Sequence, residues 1–192
     1  MSQEKPRVLS AFMEISLDGY FCDAGGDMSF AHKAPEDGEW HKFVSENASG
    51  GGVLLLGRKT YEMMAAWWPT AAAMQDMPEV AGRMNALPKI VFSRTMGSAN
   101  WSNTTLAKDD LVGTVRRMKN ESGPDMTILG SGSIVRKLAD AKLIDVFQIV
   151  VNPVALGAGR SLFSGLTQQL ELVLTRTRVF SNGSVVLWYV LR

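Results

Sequence analysis

The sequence predicts an α/β fold: a mostly parallel central sheet that finishes in an antiparallel C-terminal hairpin. Two observations carry that prediction. Short apolar runs over residues 53–56, 89–93, 126–130 and 146–151 alternate with segments of helical periodicity. The pattern then changes, and two strand-like segments, 170–180 and 184–191, flank Ser181-Asn182-Gly183. Asn-Gly marks a hairpin because both residues tolerate positive φ.

Each element follows in order. Residues 8–17 form the first strand, and 36–49 a helix with Trp40, Phe43, Val44 and Ala48 at helical spacing. Gly50-Gly51-Gly52 punctuates the chain before Val53-Leu54-Leu55-Leu56, a run suited to a strand buried on both faces. A short helix is expected over 60–66. Another, over 76–87, sets Met77, Val80, Ala81 and Met84 on one face and is stopped by Pro88. After the strand at 89–93, a helix starts at Asp109, with Asp110 in its first turn and Leu111, Val115 and Met118 inward. The run 126–130 leads into a helix over 131–141 whose stripe is Ile134, Val135 and Leu138. No repeat or linker divides the chain, so one domain over 1–192 is expected.

Composition narrows the function classes. The chain is 46% hydrophobic and 20% charged, a globular balance. Lys+Arg number 20 against 19 Asp+Glu, which offers no basic field for nucleic acid, so any anion site must be local. Cys22 is the only cysteine, which rules out an intramolecular disulfide and a thiolate-rich zinc site. The start, MSQEKPRV, has no apolar stretch, and no run approaches the ~18 apolar residues of a membrane span. A cytoplasmic protein with no membrane partner is expected. The 11 methionines are read as core filling.

In open α/β sheets, ligands gather where strands end and helices begin. Three such junctions carry suggestive residues. In Gly57-Arg58-Lys59-Thr60, Gly57 permits a close turn, Arg58 can pair with a phosphate, and Thr60 can cap the helix or bind an anion with it. Ser93-Arg94-Thr95 suits a phosphate ester such as a 2′-phosphate. Gly130-Ser131-Gly132-Ser133 ends a strand and opens a helix, where close backbone approach and the dipole favour a pyrophosphate. It is neither a full GxGxxG fingerprint nor a P-loop. Each signal has a bland alternative, a capped helix or a polar turn; it is their recurrence at three strand ends that points to a ligand.

Other constellations fail. His32 and His41 lack metal-ligand spacing, no GxSxG motif occurs, and the zinc-deaminase signature is missing because Cys22 stands alone. Asp18-Gly19-Tyr20 fits a turn. Asp37 fits either a carboxylate at a helix start or a catalytic acid.

Taken together, these blocks resemble the dihydrofolate-reductase-like group that includes the reductase domain of bacterial riboflavin biosynthesis. The resemblance runs through Ser16-Leu17-Asp18-Gly19-Tyr20, Leu55-Leu56-Gly57-Arg58-Lys59-Thr60-Tyr61-Glu62 and Val91-Phe92-Ser93-Arg94-Thr95. It continues through Ile128-Leu129-Gly130-Ser131-Gly132, Leu143-Ile144-Asp145, Asn152-Pro153-Val154-Ala155-Leu156-Gly157-Ala158-Gly159 and Leu162-Phe163. It implies a three-layer α/β/α domain, a homodimer, NADPH as cofactor and a small-molecule substrate. It further implies that Arg58 and Thr60 meet the adenosine-side phosphates, Ser93 and Arg94 the 2′-phosphate, and Gly130, Ser131, Gly132 and Ser133 the pyrophosphate.

In the folate enzymes an acid three residues before a tryptophan protonates the substrate. Asp37 and Trp40 match that spacing, so Asp37 is the expected proton donor or substrate-orienting group. Ser131 departs from the adjacent glycines usual in the group and adds a side chain where backbone and pyrophosphate would meet. The stand-alone branch, without a deaminase, fits this chain best, and a bifunctional riboflavin role is not expected.

The function expected is hydride transfer from NADPH to a C=N or C=O bond of a small, pterin- or pyrimidine-like heterocycle. Phe12, Asp18, Trp40, Met63, Met64 and Trp67 are expected around its pocket. The alternatives are a non-catalytic nucleotide or small-ligand binding protein on the same fold, and a flavodoxin-like electron carrier.

Overall fold

Strand β1 (Leu9–Ser16) sits inside the sheet, and its period-2 alternation separates two layers. Leu9, Ala11 and Met13 are fully buried on one face, and Ser10, Phe12 and Glu14 occupy the other. The computed structural model describes residues 6–34, 36–48 and 50–192.

The remaining strands are β2 (Tyr20–Cys22), β3 (Val53–Gly57), β4 (Lys89–Phe92), β5 (Thr104–Ala107), β6 (Met126–Leu129), β7 (Val146–Asn152), β8 (Arg160–Ser161), β9 (Leu172–Val179) and β10 (Val185–Leu191). The main sheet has eight strands in the order β5-β4-β3-β6-β1-β7-β10-β9, and β2 pairs with β8 apart from it. Strands β5 through β7 in that order are parallel to one another; β10 is antiparallel to both β7 and β9. This is the predicted mostly parallel sheet with an antiparallel C-terminal end.

Helices cover both faces. On one side α5 (Leu111–Asn120) and α6 (Gly132–Asp140) bury Val115, Ile134, Val135 and Leu138 against Leu9, Ala11 and Met13. On the other, α2 (Arg58–Trp67) and α4 (Pro78–Ala86) pack Tyr61, Val80 and Met84 on Leu54 and Leu56. Beside them α1 (Gly38–Ala48) packs Trp40 and Phe43 against Phe180.

Several boundaries differ from expectation. Helix α2 begins at Arg58 with Gly57 at its N-cap, so Thr60 lies inside the first turn and does not cap. The segment 76–87 splits: α3 (Ala71–Asp76), capped by Thr70, ends before Pro78 opens α4, where a proline's missing N–H costs nothing. Asp110, not Asp109, caps α5, accepting the Gly113 N–H at 2.7 Å. In the hairpin turn only Gly183 takes positive φ, while the Asn182 side chain accepts the Ser184 N–H. Ser49, the expected end of the first helix, lies outside the described residues.

Candidate functional site

Chain order reverses between β3 and β6. From β3 the chain moves outward to β4, whereas from β6 it crosses β1 to reach β7. Such a switch point opens a crevice at the carboxyl ends of the strands. The three junctions singled out in the sequence meet there, because β4, β3 and β6 are adjacent. They line one cleft of about 1890 Å³. That exceeds the roughly 300–1,000 Å³ of a single small-molecule pocket, so there is room for two ligands.

At the switch point two helices start without a side-chain cap: α2 behind Gly57 and α6 behind Ser131. Their first N–H groups and the positive ends of their dipoles meet the cleft. The junctions are in close contact, since a Cβ on Gly57 would stand 2.9 Å from Ser131 Oγ. Gly130 and Ser131 both adopt left-handed backbone, with φ of 56° and 62°. Ser131 Oγ accepts the Gly57 N–H at 2.7 Å and donates to Thr60 Oγ1 at 2.7 Å, tying the two junctions together. Gly132 is fixed by Phe21, whose ring would lie 2.5 Å from any added Cβ.

The charge is lopsided. Seven Lys and Arg residues line the cleft against three carboxylates, in a chain of net charge +1. Arg94 forms no ion pair among the described residues, and Ser93 Oγ accepts the Met96 N–H at 3.1 Å in the same turn. Arg58 reaches Glu62 at 3.2 Å on the exposed face of α2. Uncapped N-termini, glycines at close approach and surplus cations together fit a dinucleotide diphosphate.

The other end of the cleft is built from side chains. Phe12, Trp40, Met63, Met64 and Trp67 line it, with Met63 50% and Trp67 42% exposed. Glu14, partly buried on β1, lines the same cleft, and sequence reasoning passed over it. Its Oε2 accepts from Asn152 Nδ2 at 3.3 Å. Asn152 also donates to the Ile15 carbonyl at 3.1 Å and accepts from the Lys33 ammonium, which lies over the Trp40 ring at 5.1 Å. Burial pushes the Glu14 carboxyl up to about 7, against the opposing pull of Lys33 and Asn152. Burial also lowers Lys33, which Glu14 and Asp37 partly offset.

Asp37 and Asp18 are not among the cleft-lining residues. Asp37 precedes α1 and accepts the Trp40 N–H at 2.9 Å, as a helix cap does; its other oxygen accepts from Asn182 at 2.6 Å. The Trp40 N–H, then Asn182, hold its carboxyl below the usual carboxylate range. Asp18 clamps two loops, accepting from Ser16 Oγ at 2.6 Å and the Gly157 N–H at 2.7 Å, which bring it down to about 2. The signal for Glu14 was a carboxylate in mid-strand, two residues from Phe12 on the same face. Among the described residues no His, Cys, Asp and Glu group could hold a metal, and no helix is long and apolar enough to cross a membrane.

Known proteins agree with this architecture. Uncharacterized protein YyaP of Bacillus subtilis (strain 168) is 25% identical over 185 residues, covering 96% of this chain and 95% of that protein. The structure of a putative riboflavin biosynthesis protein from Shewanella sp. PV-4 superposes with a TM-score of 0.73 at 23% identity, covering 96% of this chain and 99% of its own. Dihydrofolate reductase from Enterococcus faecalis, complexed with NADP(H), superposes with a TM-score of 0.60 at 17% identity, over 96% of each chain. The fold is therefore the dihydrofolate-reductase-like one. The family described as the RibD C-terminal domain matches residues 7–186, and the chain belongs to it.

Proposed function

We propose that this protein is an NADPH-dependent reductase acting on a small, pterin- or pyrimidine-like heterocycle. The observation that supports it most is the pair of uncapped helix N-termini, α2 and α6, side by side at the switch point of a cation-rich cleft. Kinship with the RibD C-terminal domain, and a fold shared with a dihydrofolate reductase that binds NADP(H), point the same way. Gly57, Arg58 and Thr60 would hold the adenosine-side phosphates, Gly130, Ser131, Gly132 and Ser133 the pyrophosphate, and Ser93 and Arg94 the 2′-phosphate. Bound there, the dihydronicotinamide supplies a hydride equivalent.

What the chain contributes is binding, orientation and exclusion of water. Phe12, Met63 and Met64 would wall the substrate, and Trp40 would support it from α1. Asp37 serves in this reading as the cap that fixes Trp40, and Asp18 as the clamp between the loops beside the site. A homodimer and a cytoplasmic location complete the reading.

Calorimetry tests it directly. NADPH is expected to bind at micromolar concentration, more weakly as ionic strength rises. Arg94→Ala should weaken NADPH about tenfold or more and leave NADH nearly unchanged, because only NADPH carries the extra phosphate. No heat at millimolar NADPH would end the reading.

A further inference from the structure

We infer that the cleft continues beneath α1 as a second, uncharged subsite, and that the substrate carries a polyhydroxylated arm without phosphate that fills it. This rests on the reductase reading above and adds the chemistry of the substrate's tail.

Two residues back along the strands from Phe12 and Leu129, toward the strand N-termini, the cleft face of the sheet turns polar. Ser10 on β1 and Thr127 on β6 are register partners, and Thr127 is paired in turn with Leu54 on β3. Register partners share a face, and Ser10, Thr127 and Leu54 all line the cleft. The two hydroxyls stand on the fourth and fifth of eight strands, where a covering helix ordinarily meets large apolar side chains. Yet neither residue is fully buried, and neither hydroxyl has a hydrogen-bond partner among the described residues.

Gln148, beside Phe12 on β7, lines the same cleft and is only 7% exposed. Its Nε2 donates to Asn47 Oδ1 of α1 at 3.2 Å, and its Oε1 has no donor among the described residues. Val44 and Ala48 bring α1 over the opposite wall. Charge lies elsewhere. Five of the seven cleft cations follow the C-terminal ends of β3, β4 and β6, at the far end of these strands. The other two are Lys33, engaged by Asn152, and Arg160 in β8, apart from the main sheet. Lys89, paired with Leu54 on β4, does not line the cleft; its ammonium donates to the carbonyls of Met84, Asn85 and Leu87 at 2.7, 3.3 and 2.6 Å.

The polar floor selects its occupant. Ser10 and Thr127 can each donate and accept, whereas Gln148 Oε1 only accepts. An alkyl chain would strand all three groups, and a phosphate would lose its water with no cation in return. A chain of adjacent hydroxyls meets each group while its C–H face rests on Val44, Ala48 and Leu54. Ser10 lies about 7 Å from Phe12 along β1, within reach of a short arm on a ring held beside Phe12. A polar cavity of this kind holds water, and the arm's hydroxyls replace those hydrogen bonds as it enters.

Calorimetry in the presence of NADP⁺, which blocks turnover, tests the subsite with four arms on two rings, a dihydropterin and a uracil. The arms are hydrogen, propyl, trihydroxypropyl, and trihydroxypropyl ending in phosphate. On at least one ring the triol should bind about tenfold more tightly than each of the other three. Ser10→Ala combined with Thr127→Val should bring the triol to within about twofold of the propyl compound. The comparison of arms on the unaltered protein decides the matter even if that variant fails to fold. Equal binding of triol and propyl, tighter binding of the phosphate ester, no binding by any compound, or a preference that survives the double substitution would each overturn the subsite, even if NADPH binds. Failure to bind NADPH would overturn the reductase reading and the subsite together.

Discussion

Strand β1 belongs to two unlike regions at once. Leu9, Ala11 and Met13 pack in the buried cluster with α5 and α6, Met13 reaching the cleft wall at its end, while Ser10, Phe12 and Glu14, one residue out of step, face the cleft. Residues a peptide bond apart thus sit in opposite surroundings, because successive strand side chains point to opposite faces. The difference teaches that support and chemistry come from one segment without competing for position. The dry face holds the strand rigid, and the cleft face can carry a desolvated carboxyl that would be a liability elsewhere.

The sharpest way to break this comparison is to alter adjacent residues. Met13→Ala should cost about 2–5 kcal/mol at every pH, since it empties volume from a packed layer. Glu14→Gln should behave oppositely. Because burial raises Glu14 from 4.5 to about 7, the folded protein binds that proton more tightly than the unfolded chain does. The stability linked to it is full below about pH 4.5 and is lost as pH rises through about 7, by as much as ~2–3 kcal/mol. Glutamine removes that loss, so the variant should match the unaltered protein at pH 5 and exceed it at pH 8 in urea unfolding. Equal destabilisation at both pH values would make Glu14 a structural residue.

A smaller effect sharpens the contrast at the other end of the cleft, where backbone dominates. Ser131→Ala keeps the left-handed backbone and removes both struts, to Gly57 and Thr60, which should cost about 1–2 kcal/mol and weaken NADPH. Ser131→Gly loses the same bonds but relieves roughly 1 kcal/mol of backbone strain, so its stability should change little. If Ser131→Gly tightened NADPH, Ser131 would be an obstruction and not a strut. Thermal unfolding and calorimetry on the two variants separate these outcomes.

The two ends of the cleft also differed in how legible they were. The phosphate-suited junctions were visible because each is local: a strand end, a glycine or hydroxyl, and a cation within four residues. That β4, β3 and β6 lie side by side was not, since β6 inserts between β3 and β1 through pairings more than a hundred residues apart in places. The substrate end depends on such pairings entirely. Glu14 gains its meaning from Asn152, 138 residues away, and from Lys33 in an irregular segment. Asp37 could not be resolved from sequence because Asp-x-x-Trp fits a cap as well as an acid, and only the fold shows that its carboxylate takes the Trp40 N–H. Strands β2 and β8, of three and two residues, are too short for any period to show, and α3 was hidden between Pro69 and Pro78.

The mildest change tests whether the cation-rich end works through charge alone. Glu62 faces Arg58 across one helical turn, with side chains 49% and 45% exposed. A pair so open to water contributes little, so Glu62→Gln should alter stability by less than about 0.5 kcal/mol. It also removes a negative charge beside the cleft and frees Arg58 to turn toward an anion. NADPH affinity should therefore rise about two- to threefold at low salt, a gain that fades as salt screens the charges. A fall in affinity would mean that Glu62 holds Arg58 in its working position. The phosphate end would then depend on side-chain placement as much as the substrate end does, and the contrast between them would be one of degree.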